Sequence, residues 1–446
     1  MKSMRQLEKP PDENKLFTKH RNVLLELVST YTNQRDTSGE LKQLVKKYND
    51  TEYIHWNELR YKKLPRDPEV IWLFLTFLRK GTYRPIKIGK ETFRFIMLDR
   101  FQRHLHLIDK ASPASFDWLV EDNLSESGRQ QYLINSLMEE AIASSQLEGA
   151  ATTRPVAKKM LREGKKPKNQ SERMILNNYL TIRKLQQWKN LPLSRELILE
   201  IHQEITQSTL ESEADEKQFR TTNDVVVRDK VDYKKIYHYP PDFNEIPAMI
   251  EDLCAFANGE EEFIHPIIKA IIIHFLIGYI HPFNDGNGRT ARALFYWYVL
   301  KHRYDLFEYL SISRIVINAP AKYTRAYLET ETDGNDMTYF IDFNMNLINK
   351  ALEELKRYIV EKQKEEKDLL QLVEQMPDLS FRQAEMLKDF IKHPTRPYTV
   401  SELAGKFKIS IPTARVDLLT LEGKGQLKKY LDGNRQVFIY RGDHGE

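Results

Sequence analysis

Twelve residues near the middle of the chain, HPFNDGNGRTAR at 281–292, bring together a histidine, a carboxylate, two glycines and two arginines. Packing has no use for that mixture. Asp-Gly-Asn-Gly is turn chemistry, with both glycines able to take positive φ. The apolar stretch GRTARALFYWYVL that follows reads as a helix, so the loop leads into a helix N-terminus, where backbone N–H groups lack partners. A glycine-rich loop that ends there binds anions. Arg289 and Arg292 add fixed positive charge suited to phosphate oxygens. Asp285 is a hard oxygen ligand for Mg2+, an ion that takes one or two carboxylates and completes its shell with substrate phosphates. His281 is the one group in the stretch able to act as a general base near neutral pH. A base, a metal ligand, an anion site and arginines add up to nucleotide chemistry.

Other chemistries fit less well. A lone Asp-Gly-Asn is only a turn, and the chain repeats it in TDGND and LDGNR. His274 and His281 are seven apart and could share a helix face, but no HExxH or cysteine cluster supports a transition-metal site. The spacing fails for an EF-hand, and no GxxxxGK[ST] is present.

The elements that must position this loop read as mostly helical. IIKAIIIHFLIGYI, directly before it, is a buried helix that ends near His281–Pro282, because the residue before proline disfavours the helical region. Residues 15–49 carry helix formers, HWNELRYKKLPRDPEV is irregular, and EVIWLFLTFLRKG is a short buried helix ended by Gly81. TYRPIKIGKETFRFI is extended, with Gly89 at the turn. In 219–239, FRTTNDVVVRDKVDYKKIYHY, the β-branched Val225, Val226 and Val227 with Tyr233, Tyr237 and Tyr239 predict a β-hairpin stopped by Pro240–Pro241. Beyond the long helix that follows NDMTYFIDF, the stretch TVSELAGKFK, a turn at ISI, and PTARVDLLTLEGKG make helix, turn, helix. Two strands, LKKYL and QVFIY, joined by Asp-Gly-Asn, complete a winged helix-turn-helix pattern. Ser410 and Pro412 suit the start of its second helix.

Composition sets the frame. Of 446 residues, 41% are hydrophobic and 30% charged, with a net charge of +4. That charge does not by itself imply nucleic-acid binding. The single cysteine, Cys254, excludes an intrachain disulfide and suits a reducing compartment, so a cytoplasmic location is expected. The first residues, MKSMRQLEKPPDENK, lack an apolar core, so no secretory signal is expected. The longest apolar run contains Lys269 and His274 and is too short to span a bilayer.

HPFNDGNGRTAR resembles the Fic family motif H-x-F-x-[DE]-G-N-G-R-x-x-R at every fixed position. FRTTNDVVV and YHYPP look like the hairpin flap that precedes the motif in that family. EGAATTRPVAKKML, NNYL and NDMTYFIDF also resemble family stretches, and the likeness runs over roughly 110–360. The resemblance implies a mainly α fold: a helical Fic-type domain at 110–365 with a small β-hairpin flap. A largely helical region at 1–109 precedes it, and the C-terminal winged helix-turn-helix domain at 366–446 follows.

The resemblance also implies AMP transfer from ATP to a hydroxyl side chain of a target protein, with Mg2+ or Mn2+ as cofactor. His281 would take the proton of the attacking Ser, Thr or Tyr hydroxyl, and Asp285 would hold the metal. Asn284, Gly286, Asn287 and Gly288 would contribute to nucleotide and phosphate binding, with Arg289 on the β or γ phosphate and Arg292 on the γ phosphate. Phe283 would pack beneath the loop. Val225, Val226 and Val227 would align the target by strand addition. Tyr323 and Tyr327 are candidates for stacking on the base. SSQLEG at 144–149 fits the family's inhibitory pattern [ST]-x-x-x-E-[GN]. Ser144 and Glu148 lie four apart on one helix face, and Gly149 would cap the helix. Glu148 would pair with Arg292 and hold the enzyme inactive.

The winged helix opens a second reading, a DNA-binding regulator whose Fic-like domain is a nucleotide sensor. Thr413 and Arg415 stand near the start of its second helix, where recognition helices contact bases. Yet residues 378–446 carry 12 Lys/Arg against 9 Asp/Glu, a weak footprint for DNA. De-AMPylation or transfer of another nucleotide group are variants of the first reading. Expected partners are the hydroxyl-bearing target protein and, as options the sequence leaves open, DNA at the winged helix and a second copy of the chain as a homodimer. No membrane is expected.

Overall fold

The computed structural model describes residues 7–33, 39–110, 126–229, 232–376, 378–432 and 435–441. The fold is mainly α, with small two- and three-stranded sheets. The chain divides into two compact units, Met1–Leu355 and Lys356–Glu446.

In the first unit, α1 (Glu13–Thr32), α2 (Glu40–Val45), α3 (Trp56–Leu59) and α4 (Pro68–Lys80) surround a cluster built on Leu16, Leu24, Leu27, Trp56, Leu59 and the run Val70–Leu75. The Asp67 side chain caps α4 by accepting from Glu69 N, and Pro68 stands where its missing N–H costs nothing. Strands β1 (Arg84–Ile88) and β2 (Glu91–Phe95) pair antiparallel about Gly89, whose φ is 61°. Then come α5 (Asp99–Lys110), α6 (Glu126–Leu147), α7 (Arg154–Glu163), α8 (Gln170–Trp188) and α9 (Arg195–Thr206).

After α9 the chain runs through β3 (Val227–Arg228) and β4 (Ile236–His238), then α10 (Ile246–Asn258), α11 (Pro266–Ile280) and α12 (Asn287–Lys301). α11 and α12 are the centre of the unit. Isoleucines 267, 268, 271, 272, 273 and 277 of α11 are all fully buried, and α12 is buried from Arg289 to Leu300. A helix that is apolar all round has nowhere else to go. Each such isoleucine contributes about 1.5–3 kcal/mol relative to exposure. α13 (Ile312–Val316), α14 (Pro320–Thr332) and the first part of α15 (Thr338–Gln375) close the unit.

The second unit has its own core of Met386, Leu387, Phe390, Leu403, Leu418, Leu421 and Phe438. α16 (Phe381–Lys392) precedes β5 (Tyr398–Thr399), α17 (Val400–Lys406) and α18 (Ile411–Gly423). β6 (Leu427–Asp432) and β7 (Arg435–Tyr440) follow, in the sheet order β5-β7-β6. Ser410 caps α18 by accepting from Thr413 N. Gly433 and Asn434 of the expected wing turn lie outside the described residues.

The flap departs from expectation. Its pairing is limited to Val227–Arg228 against Ile236–His238, with an irregular register, and Val225 and Val226 lie outside any strand. A two-stranded ribbon with no third strand is marginal in water. Here side chains take up backbone groups that a longer ladder would have paired: Arg220 donates to Thr222 O, and Asn223 accepts from Phe243 N.

Candidate active site

The site begins where α11 stops. His281 caps that helix in the left-handed region (φ 49°, ψ 56°), and its N–H donates to Ile277 O at 3.0 Å. Proline at 282 keeps this residue from extending the helix. The turned backbone brings the ring over its own last turn, where Nδ1 donates to Gly278 O at 3.2 Å. Nε2 is then the nitrogen that keeps its lone pair. Burial lowers the His281 pKa to about 4, with the neighbouring His238 and Arg220 adding to that and the Gly278 carbonyl and Glu148 opposing. At neutral pH the ring is an unprotonated base.

Phe283 and Asn287 fix the loop. Phe283 is fully buried, and Asn287 accepts from Phe283 N at 2.9 Å and donates to Phe283 O at 2.7 Å. His202 of α9 stacks on the Phe283 ring, centroids 3.6 Å apart and planes 4° from parallel. His202 Nε2 donates to the Asp285 carbonyl at 2.9 Å. Burial lowers its pKa to about 4, so it is neutral and serves as a fixed donor. The sequence reading missed His202; the signal available was a histidine on the apolar face of EIHQEIT. Gly286 takes φ 85°, and a Cβ there would press on Thr206 Cγ2 and His202. Gly288 does not use that freedom and lies inside the first turn of α12. The first intrahelical bond is Thr290 N to Gly286 O, so the N–H groups ahead of it face outward as an anion site.

Several predicted residues stand differently. Asn287 spends its side chain on Phe283 and offers only its backbone N–H. Asn284 points its amide at Asp215 Oδ1, 2.8 Å away. Arg289 is fully buried. It reaches Asp285 Oδ2 at 3.1 Å and Ile205 O at 3.3 Å, so it braces the carboxylate where a direct phosphate contact was expected. Asp285 itself is more than half exposed, and its Oδ1 accepts from Gly286 N at 2.6 Å. A hard, exposed oxygen pair beside an anion site suits Mg2+ bound together with phosphates.

Tyr323 and Tyr327 are used in packing. Tyr327 stacks on Phe275 (5.1 Å, 20°), and its hydroxyl lies against Gly278, where a Cβ would collide with it. Tyr323 shares its hydroxyl with His274 Nε2 at 2.8 Å and lies beside Arg292. This brings hydroxyls to the wall of the site, where ring faces for base stacking were expected.

Arg292 is the other side of the site. Its Nε donates to Ser144 Oγ (2.8 Å), and its Nη2 to Ser144 O (3.0 Å) and Glu148 Oε1 (2.8 Å). Arg292 thus shares its donors between Glu148 and Ser144. Gly149, at φ 104°, ends the helix, and Glu148 stands just beyond Leu147. One more acid lies on this face, Glu140, two turns back. It is buried and accepts from Ser313 N (2.9 Å) and Ser311 Oγ (3.2 Å). Burial raises its pKa against the pull of Ser313 and Arg292.

One loop of this helical domain thus brings together a neutral histidine, an exposed carboxylate and a helix N-terminus. Residues 192–299 match the model of the Fic/DOC family. Among curated proteins it is 30% identical over 88 residues to "Protein adenylyltransferase Fic" of Culex quinquefasciatus, covering 17% of this chain and 18% of that one. It is 34% identical over 87 residues to the protein of the same name from Nematostella vectensis, covering 15% and 20%. The chain thus spans about a fifth of the length of these relatives. A solved Fic family protein of Desulfovibrio desulfuricans G20 shares the fold, with TM-score 0.52, 17% identity, and coverage of 78% and 98%.

Proposed function

We propose that this chain transfers AMP from ATP to a Ser, Thr or Tyr hydroxyl of a target protein, and that Glu148 holds it inactive. The observation that carries the reading is one carboxylate, Glu148, seated on the N-terminal turn of α12 beside a neutral His281. A phosphate would occupy the same place for the same reason, since both are anions drawn to free N–H groups.

The target hydroxyl oxygen attacks the α phosphorus while His281 Nε2 takes its proton. The bond from that phosphorus to the bridging oxygen breaks, and pyrophosphate leaves. Such in-line transfer needs positioning and charge neutralisation more than covalent help. Asp285, braced by Arg289, would hold Mg2+ or Mn2+, which supplies charge neutralisation on the phosphates. Arg292, once released, would hold the γ phosphate. The relatives named adenylyltransferase support the same chemistry.

The second unit supports protein docking over DNA contact. Five of its basic residues are matched internally: Arg382 with Asp417, Arg396 with Glu402, Lys406 with Asp389, Lys424 with Asp378 and Lys429 with Glu422. The outer face of α18 exposes Ile411, Val416 and Leu419. Among the described residues no helix is long and apolar enough to cross a membrane.

The test is transfer from labelled ATP, GTP, UTP and CTP by the natural chain, Glu148→Gly and His281→Ala. Label on protein from ATP, strongest with Glu148→Gly and missing with His281→Ala, is the expected result. No label from any nucleotide with Glu148→Gly would overturn the reading.

A further inference from the structure

Arg220 lies just ahead of the flap and is only 4% exposed. Its Nε donates to the carbonyl of His281 at 3.0 Å, and its own N–H to Pro282 O at 2.8 Å. Nη1 donates to Thr222 O (2.8 Å) and Asn223 Oδ1 (3.1 Å), and Nη2 to Pro241 O. Asn223 in turn donates to Asp242 Oδ2 at 2.7 Å. One guanidinium therefore ties three strands of backbone: the outgoing neck of the flap, its return at Pro241, and the turn that holds His281.

The partners decide the reading. A buried arginine kept for charge is normally matched to a carboxylate. Every hydrogen bond of this guanidinium goes to an uncharged oxygen: three backbone carbonyls and one side-chain amide. Such a group is an organiser of backbone. The backbone it organises includes a non-glycine residue in the left-handed region, a conformation that persists only where its surroundings enforce it. The flap also reaches the end of α11 through His238 of β4, whose Nε2 donates to Tyr279 O at 2.7 Å. Among the described residues, though, only Arg220 joins the flap to the backbone of His281 and Pro282 themselves.

We propose that Arg220 is a positioning residue that couples the flap to His281, so that a target segment lying along the flap sets the base in its working orientation. This rests on the transfer reading above. The anion site is held separately, by His202 and Asn287, neither of which Arg220 touches. Loss of Arg220 should therefore disturb the transfer step and leave nucleotide capture alone.

Two measurements test it. In the Glu148→Gly background, self-labelling from labelled ATP is followed against ATP concentration for Arg220→Lys and Arg220→Met. Lysine keeps the charge and loses the fork. Both variants should label at a maximal rate at least tenfold lower, with half-saturating ATP changed less than twofold. A maximal rate equal to the parent, or a maximal rate and half-saturation that change together, would overturn the coupling. The second measurement needs no turnover. Amide hydrogen exchange in the otherwise natural chain should quicken in Arg220→Met at both the flap neck and His281, whose N–H is bonded to Ile277 O. In Asn223→Ala it should quicken at the neck alone. Faster exchange confined to the neck in Arg220→Met would also overturn it. A Glu148→Gly parent that fails to label at all counts against the transfer reading, and the exchange pattern still decides the coupling.

Discussion

A Cβ on Gly288 would collide with Oε1 of Glu148. The Glu148 carboxylate and the second residue of α12 thus touch with no room for a side chain between them. Gly288 is glycine for close approach, since it lies within the helix and needs no positive φ. Glu148 lies against the turn whose N–H groups a phosphate would use, and it also engages Arg292.

Removing Glu148 should release both. Glu148→Gly is expected to raise self-labelling by tenfold or more, as an ion pair of about 1.4 kcal/mol or greater is lost from the inactive state. Arg292→Ala should not activate, because the phosphate ligand goes with the lock. Equal labelling by the natural chain and Glu148→Gly would refute the lock.

His281→Ala in the Glu148→Gly background should cost about 10²–10⁴-fold in transfer, the usual loss for a general base. Nucleotide affinity, measured by calorimetry, should change little. Because burial holds His281 near 4, the base form is retained as pH falls from 7 to 5. A rate profile that drops with a midpoint near 6.5 would contradict that environment.

Asp285→Ala should lower the rate and also blunt the response to Mg2+ and Mn2+ titration. It also strips Arg289 of its partner, so the thermal midpoint should fall. Activity that persists in excess chelator would remove the metal from the scheme.

Stability should depend on pH through buried histidines. Burial lowers His55 and His274 to about 3, and His202 and His281 to about 4. The unfolded chain takes up these protons below about 6.5 and the folded chain does not. More protons on the unfolded side means stability rises with pH, so it is complete above about 6.5 and drains away toward 4. Asp333, pushed up by burial and by Asp336, acts in the opposite sense, and so do Glu140, Glu308, Glu329 and Asp342, whose carboxyls burial also raises. Their contribution lies in the carboxylate range, below most of the window in which the histidines act. A melting midpoint that falls steadily from pH 7 to pH 5 is expected; a flat one would show that these rings reach water.

The parts of the fold that announced themselves did so through local rules. Ser410–Pro412 start a helix by capping chemistry, and Gly81 and Gly149 follow helix ends, all within a few residues of sequence, whereas Asp67–Pro68 starts a helix inside a stretch that reads as irregular. The helix before His281 was legible because its isoleucines leave no polar face. The flap was overread, since Val225 and Val226 have strand propensity but no sheet to bury them. In the site, residue types indicated the chemistry but not which way each side chain turns. Arg289 and Asn287 sit inside the motif, yet their partners, Ile205 and Phe283, are set by tertiary packing. His202 and Arg220 lie 61 or more residues before the loop they hold, at contacts no local spacing encodes.

The loop and its lock are built from different materials. Phe283, Asn287 and a neutral His202 hold the loop by stacking and amide bonds, interactions indifferent to ionic strength. The lock is a carboxylate still 30% exposed against a guanidinium, and dissolved ions weaken such a pair. Salt should therefore be a dial that reaches one and spares the other: raising it is expected to loosen Glu148 from Arg292 while the turn held by Phe283, Asn287 and His202 keeps its shape.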